Sequence, residues 1–177
     1  MQLANEIGKA NTALFFKIFD CVNFFHFFFI FSENRRMTTL TLQQANAIIA
    51  GALAQSAKSG YLPMGVVVID DSGNVKAAQR EDGASMFRLD VATGKAWGAV
   101  GMGVSSRVLA QRAKDNPNFF TTLSATSQGK FLPQPGAVLI LDANGKIMGA
   151  AGASGGTGDE DEAICMAGVQ AAGFKAG

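Results

Sequence analysis

The sequence has little of the chemistry on which most catalytic and metal sites depend. Its 177 residues include one histidine, one tyrosine, one tryptophan, two cysteines and four prolines. The histidine, His26, precedes Met37, so the chain from Met37 onward has no Ser-His-Asp or Cys-His arrangement, histidine zinc site or histidine haem ligand. Cys21 and Cys165 have no metal-ligand spacing, so we expect no metal site and a reducing compartment.

The charge is almost balanced, with 15 lysines and arginines against 14 aspartates and glutamates. The basic residues form no stripe or cluster, which excludes the usual electrostatic footprint of a nucleic-acid-binding protein. We expect a small-molecule ligand and no nucleic-acid partner.

The first part of the chain differs in composition from the rest. Nine of the fourteen phenylalanines lie within residues 13–31, a stretch about as long as a membrane span. Lys17 and Asp20 interrupt it, and each charge at bilayer depth costs about 2.5–3.5 kcal/mol. We interpret residues 1–36 as a leader outside the functional domain and residues 37–177 as that domain. The predicted location is cytoplasmic; the alternative is a protein anchored in the membrane or exported through its N-terminal segment.

The domain begins with a helix signal. Thr41 and Gln44 have the spacing of a capping box, and Gly60 supplies the stop. A buried strand is predicted from Met64 to Ile69, and a second strand runs roughly over residues 74–80.

Two similar hairpins are predicted, 72 residues apart, each with an Asp-x-x-Gly turn between two apolar strands. The matching positions are Ile69, Asp70, Gly73 and Val75 in the first hairpin, and Leu141, Asp142, Gly145 and Ile147 in the second. Both hairpins are expected in one sheet.

Three helices are expected around these hairpins. The first starts near Ser85, the second is a short helix capped by Ser105, and the last runs over residues 159–173. Phe119 and Phe120 are predicted to lie in an irregular connection, as are residues 131–136.

Several polar residues in otherwise small or apolar surroundings are candidates for a site. Arg80, Lys95 and Arg107 could pair with surface acids or recognise a carboxylate. Residues 154–158 form a glycine loop, but the loop lacks a phosphate-binding lysine and leads into Asp159, Glu160, Asp161 and Glu162. Asp159 and Glu160 suit a first helical turn. Of the next two, one could face the sheet end and the other water.

From Met37 to the end, the sequence resembles the GlcG/HbpS family, the haem-binding-protein-like domain also found at the C-terminus of PduO-type proteins. The residues that carry the resemblance are Val66–Val75, Arg80–Ala84, Lys95–Ala96, Pro135–Gly136, Gly149–Gly156, Asp161–Glu162 and Ala167–Gly168. The resemblance implies an α/β domain of α+β layers with a five-stranded, mainly antiparallel sheet flanked by helices. It also implies dimers or higher homo-oligomers, and haem or a related ligand, although the domain has no histidine to hold the iron.

We therefore predict an oligomeric small-molecule-binding protein rather than an enzyme. Its ligand would contact Arg80, Lys95, Ser154, Gly155 and Gly156. One alternative is an enzyme acting on a small organic acid, with Asp161 or Glu162 as general base and Lys95 as electrostatic stabiliser. The other is an accessory subunit that serves assembly and has no ligand of its own.

Overall fold

The computed structural model describes residues 39–177. It contains five helices and five strands in this part of the chain. In chain order they are α1 (Leu42–Ser59), β1 (Gly65–Asp70), β2 (Val75–Arg80), α2 (Phe87–Met102), α3 (Ser106–Asp115), α4 (Pro117–Thr126), β3 (Ala137–Leu141), β4 (Ile147–Ser154), α5 (Gly158–Ala171) and β5 (Lys175–Ala176). The predicted leader, residues 1–36, and the span at 13–31 within it lie outside the described residues.

The strands form one antiparallel sheet in the order β2-β1-β4-β3-β5. Its two hairpins have the predicted turns, with Gly73 and Gly145 at φ of 80° and 83°. Oδ1 of Asp70 accepts two backbone N–H bonds across the first turn, at 3.0 and 2.9 Å. Oδ1 of Asp142 does the same at 2.8 and 2.9 Å. The α/β prediction with a mainly antiparallel five-stranded sheet is confirmed.

Helices cover both faces of the sheet. Because side chains alternate along a strand, Val66 and Val68 of β1 face the core formed with α1 and α5, whereas Val67 and Ile69 face α2. The capping box at the start of α1 is formed, with the Gln44 amide donating to Thr41 Oγ1 at 3.2 Å.

Two local predictions need correction. Phe119 and Phe120 lie in helix α4 and not in an irregular connection. Asn116 caps this helix and Pro117 occupies its first turn, a combination that favours a helix start. Ser105 precedes α3 as predicted, but its side chain makes no capping bond. The neighbouring Ser106 instead binds both backbone groups of Ala137, at 2.8 and 3.1 Å.

Helix α2 approaches the sheet closely because the facing residues are small. A Cβ atom added at Gly152 of β4 would collide with the carbonyl oxygen of Ala92. This contact fixes α2 over the end of β4, where the polar candidates lie.

Replacing Gly152 with alanine is expected to destabilise the domain, because a backbone atom would have to move. We expect a loss in the free energy of unfolding at the upper end of about 1–3 kcal/mol, measured by chemical denaturation. The control is Gly101→Ala, at an exposed position of helix α2 with open space around it. That variant should gain up to about 1 kcal/mol. Equal effects at the two positions would contradict the packing described.

Candidate functional site

The C-terminal end of β4 brings together side chains that are distant in sequence. Lys95 comes from α2, Ser154 ends β4, and Asp161 lies in the first turn of α5. Thr157 caps α5 in a second capping box with Glu160, which sets the position of that first turn. The sheet end therefore joins helices from its two opposite faces.

Lys95 and Asp161 form a buried ion pair. Nζ of Lys95 lies 2.7 Å from Oδ2 of Asp161, and the two side chains are 6% and 2% exposed. Nζ also donates to the carbonyl oxygen of Ala153 at 3.1 Å, and the Gly156 amide donates to Oδ1 of Asp161 at 3.1 Å. Two of the three N–H donors of the ammonium group are thus engaged.

Burial and pairing act in opposite directions on the Asp161 carboxyl group. Burial raises its pKa, and the hydrogen bond and charge of Lys95 lower it, followed by the Gly156 amide and the charge of Arg88. Burial has the largest effect, so the net pKa is above the ordinary value. The carboxylate consequently accepts a proton more readily than an exposed aspartate does.

A glycine with unusual backbone geometry lies against the pair. Gly136 has φ of +121°, and a Cβ atom there would lie 2.7 Å from both Nζ of Lys95 and Cβ of Asp161. Any side chain at this position would push the two charged groups out of place. The Pro135–Gly136 match to the family thus has a physical reason at this site.

The ion pair lies at the wall of an open cleft of about 400 Å³, which we call the Lys95 cleft. Its polar lining includes Lys95, Gln134, Ser154 and Asp161, and its apolar lining is Val91, Leu132 and Pro135. Gly156, Thr157, Gly158 and Asp159 complete the lining at the start of α5. Its volume is that of a site for a small organic molecule.

Arg88, which was not predicted from the sequence, contacts Ser154 in the lining of this cleft. It lies seven residues before Lys95, two turns back on the same side of α2. Its Nη1 is 3.5 Å from Ser154 Oγ, and its buried Nε has no hydrogen-bond partner among residues 39–177. Within the same residues, no carboxylate lies within salt-bridge distance of its guanidinium group. A partly buried cation with an unused donor is therefore present at the site.

Asp161 and Glu162 point in different directions, as the sequence suggested for this pair. Arg107 of α3 binds Glu162 through Nε at 2.5 Å and also pairs with Asp159. These contacts raise the pKa of the Arg107 guanidinium. Its side chain is 49% exposed, so this cluster is a surface salt bridge. Glu162 is engaged there and does not line the Lys95 cleft.

Two of the predicted ligand contacts lie elsewhere. Gly155 packs against Pro63 and Met64, where an added Cβ would collide, and Gly156 is the glycine that lines the Lys95 cleft. Arg80 is exposed at the end of β2 and donates to the carbonyl oxygen of Ala84. Arg80 lines a second cleft.

This second cleft, which we call the Tyr61 cleft, has a volume of about 520 Å³. Leu53, Tyr61, Pro63, Arg80 and Glu81 belong to its lining. Of the predicted binding residues, the structure thus brings Lys95, Ser154 and Gly156 together and leaves Arg80 in a separate place.

The remaining reactive side chain of this region is Cys165 of α5. It is fully buried, and burial raises the pKa of its thiol well above the ordinary value. Its Sγ lies 3.6 Å from the carbonyl oxygen of Gly136. Between residues 39 and 177, no three histidine, cysteine or acidic side chains are grouped as metal ligands. None of the helices described over that range is long and apolar enough to cross a bilayer.

The family model for haem degrading protein HbpS-like matches residues 40–170. The chain belongs to this family. It is 26% identical over 133 residues to an uncharacterized 15.0 kDa protein of the dhaT-dhaS intergenic region in Citrobacter freundii. The aligned region covers 75% of this chain and 92% of that protein.

Two crystal structures show the same fold. A double mutant of HbpS from Streptomyces reticuli has a TM-score of 0.66 and 29% sequence identity, and the match covers 78% of this chain and 90% of the HbpS chain. A PduOC:heme complex has a TM-score of 0.69 and 22% sequence identity, and the match covers 77% of this chain and 96% of the chain in the complex. The resemblance to the GlcG/HbpS family is confirmed.

Breaking the buried pair from one side should cost much more than removing it whole. Lys95→Met leaves an unpaired buried carboxyl group, and we expect a loss of about 3–5 kcal/mol in the free energy of unfolding. The double variant Lys95→Met/Asp161→Leu should recover most of that loss. Arg107→Ala, the exposed control, should cost no more than about 1 kcal/mol. Additive effects of the two substitutions in denaturation experiments would contradict a coupled pair.

Proposed function

We propose that this protein binds a small organic anion in the Lys95 cleft. The observation that carries the proposal is the Arg88 guanidinium, which contacts Ser154 in the cleft lining. Within residues 39–177 its buried Nε has no hydrogen-bond partner, and no carboxylate lies within salt-bridge distance. A buried donor without a partner costs about 1–3 kcal/mol. A ligand carboxylate that accepted from this group would remove that cost.

The cleft chemistry favours a carboxylate over a phosphate. Guanidinium groups bind carboxylates through paired N–H donors, and Ser154 adds a hydroxyl beside Arg88. Asp161 and Asp159 also line the cleft, and their negative charges oppose a dianionic phosphate more strongly than a single carboxylate. The apolar side chains of Val91, Leu132 and Pro135 suit a short carbon skeleton.

We place the functional unit at residues 37–177. Cytoplasmic location and assembly into homo-oligomers stay predictions from the sequence. The exposed side chains of Met86 and Phe87 are adjacent at the start of α2 and together offer an apolar surface for self-association. The accessory-subunit alternative has less support, because Gly98 packs against Phe131 of its own chain.

The binding proposal can be tested with lactate, a small monocarboxylate, in a saturation-transfer NMR titration. Arg88→Ala should weaken lactate binding by about tenfold or more, because hydrogen bonds to charged groups contribute about 1.5–3 kcal/mol. Arg112→Ala, at an exposed site on α3, should bind lactate with the same affinity as the wild-type protein. Binding that survives Arg88→Ala but is lost in Arg80→Ala would contradict the assignment and restore the sequence-based prediction.

Haem is the second candidate, supported by the family description and by the haem complex of the PduOC structure. The donor set of the Lys95 cleft does not fit haem. Among residues 39–177, no methionine, tyrosine, cysteine or histidine lines that cleft, and Lys95 is held by Asp161. The Tyr61 cleft fits better. The phenol of Tyr61 is a type of iron ligand that some haem proteins use. Arg80 in the same cleft could pair with a propionate group of the haem.

A haem titration followed by Soret absorbance tests this candidate. If haem binds through the Tyr61 cleft, Tyr61→Phe should abolish the saturable Soret shift, because the phenol oxygen is the iron donor there. Arg88→Ala should leave the shift unchanged, since the Arg88 side chain contacts Ser154 in the lining of the other cleft. A shift that persists in Tyr61→Phe would contradict this placement.

A further inference from the structure

Lys95 presents an amine beside the cleft in which the ligand is proposed to bind. Its Nζ is held at 2.7 Å from a carboxylate and 3.1 Å from a backbone carbonyl, which leaves one N–H position uncommitted. Buried lysines are uncommon unless paired. A pair that only stabilised the fold could be replaced by apolar side chains at little or no cost. Its place in the lining of a cleft suggests a chemical role.

We propose that Lys95 condenses with the carbonyl group of a small oxo acid to form an imine, with Asp161 as the proton acceptor and donor. This inference rests on the proposed binding of an organic anion in the same cleft. It extends that function from binding to reversible covalent capture, and it narrows the ligand class to aldehydes or ketones that also carry a carboxylate.

The step is balanced without any further reactant. Asp161 takes one proton from the Lys95 ammonium, and the free amine nitrogen forms a bond to the carbonyl carbon. The π pair of the C=O bond moves to oxygen, which receives the proton back from Asp161. The resulting carbinolamine loses its oxygen as water with a proton from nitrogen, relayed by Asp161. The sum is an ammonium group and a carbonyl compound giving a protonated imine and water.

Asp161 gives Lys95 a partner for proton transfer. A lysine is nucleophilic only as the free amine, so a group that takes the ammonium proton has to lie within hydrogen-bond distance, and Oδ2 of Asp161 is 2.7 Å from Nζ. Burial makes the carboxyl group of Asp161 a better proton acceptor than an exposed aspartate. The exposed lysines of α1 and α3, Lys58 and Lys114, have no such carboxylate in ion-pair contact within the described part of the chain.

Arg88 supplies the orientation. Its Nη1 lies 3.5 Å from Oγ of Ser154, and Ser154 lines the same cleft as Lys95, so a carboxylate bound at Arg88 and Ser154 would hold the carbonyl group of a short oxo acid inside that cleft. Gly136 lies against the Lys95–Asp161 pair and has no side chain that would displace Nζ of Lys95. The site therefore has an anchor for the acid and an amine for the carbonyl group.

The test is reductive trapping of the full chain with pyruvate and sodium cyanoborohydride, followed by intact-mass measurement and peptide mapping. We expect one reduced pyruvate adduct per chain, located at Lys95, with labelling there at least about tenfold above Lys114. Lactate, which has no ketone, should give no adduct. Asp161→Asn should slow trapping by about 100-fold if the carboxyl group transfers the proton.

Two results would overturn imine formation at Lys95, and only one of them would also overturn the proposed binding of an organic anion. If pyruvate and lactate both bind by NMR but the adducts are spread over exposed lysines, imine formation at Lys95 is wrong and the anion site stands. If neither acid binds and no adduct forms, the proposed function fails as well. Lys95→Arg, which retains the charge, should lose the adduct. If that variant does not fold, the peptide map of the wild-type protein still shows whether the adduct lies at Lys95.

Discussion

The buried Lys95–Asp161 ion pair joins the two helical layers of this domain. Lys95 belongs to α2 on one face of the sheet, and Asp161 belongs to α5 on the other. Removing both charges from water is costly, so the pair requires short distances and further hydrogen bonds, which Ala153 and Gly156 provide. The small residues at Gly136 and Gly152 allow this geometry, because side chains there would separate the layers. The cleft exists where these requirements coincide.

The sequence was sufficient for the hairpins, because an Asp-x-x-Gly turn needs nothing beyond its own residues, and Asp70 and Asp142 lie in the predicted turns. Lys95 was selected as a basic residue in small or apolar surroundings, and Ser154 as the start of the glycine loop. The fold brings these two residues into the lining of one cleft. The capping box of Thr157 and Glu160 and the Asn116–Pro117 helix start also follow from local sequence signals. Strand β5 is only two residues long and depends on pairing with β3.

Arg88 could not be distinguished from Arg80 without the fold. Both residues lie near the same end of the sheet, because Gly65 of β1 pairs with Arg80 on one side and with Ser154 on the other. The difference arises from α2, which carries Arg88 onto Ser154, while the guanidinium of Arg80 turns to the backbone of Ala84. Membership of the HbpS-like family identifies the scaffold. The ligand is decided by side chains, and those of the Lys95 cleft favour a small acid over a histidine-bound haem.

The central claim is that the ligand of this protein occupies the cleft beside the Lys95–Asp161 pair. The most direct measurement is backbone amide chemical-shift mapping of the full chain during a titration with pyruvate. The largest shifts are expected at residues that line the cleft, with saturation at a single affinity: Val91, Lys95, Ser154 and Gly156. Shifts that centre instead on Tyr61 and Arg80, or an unchanged spectrum at saturating pyruvate, would contradict the central claim.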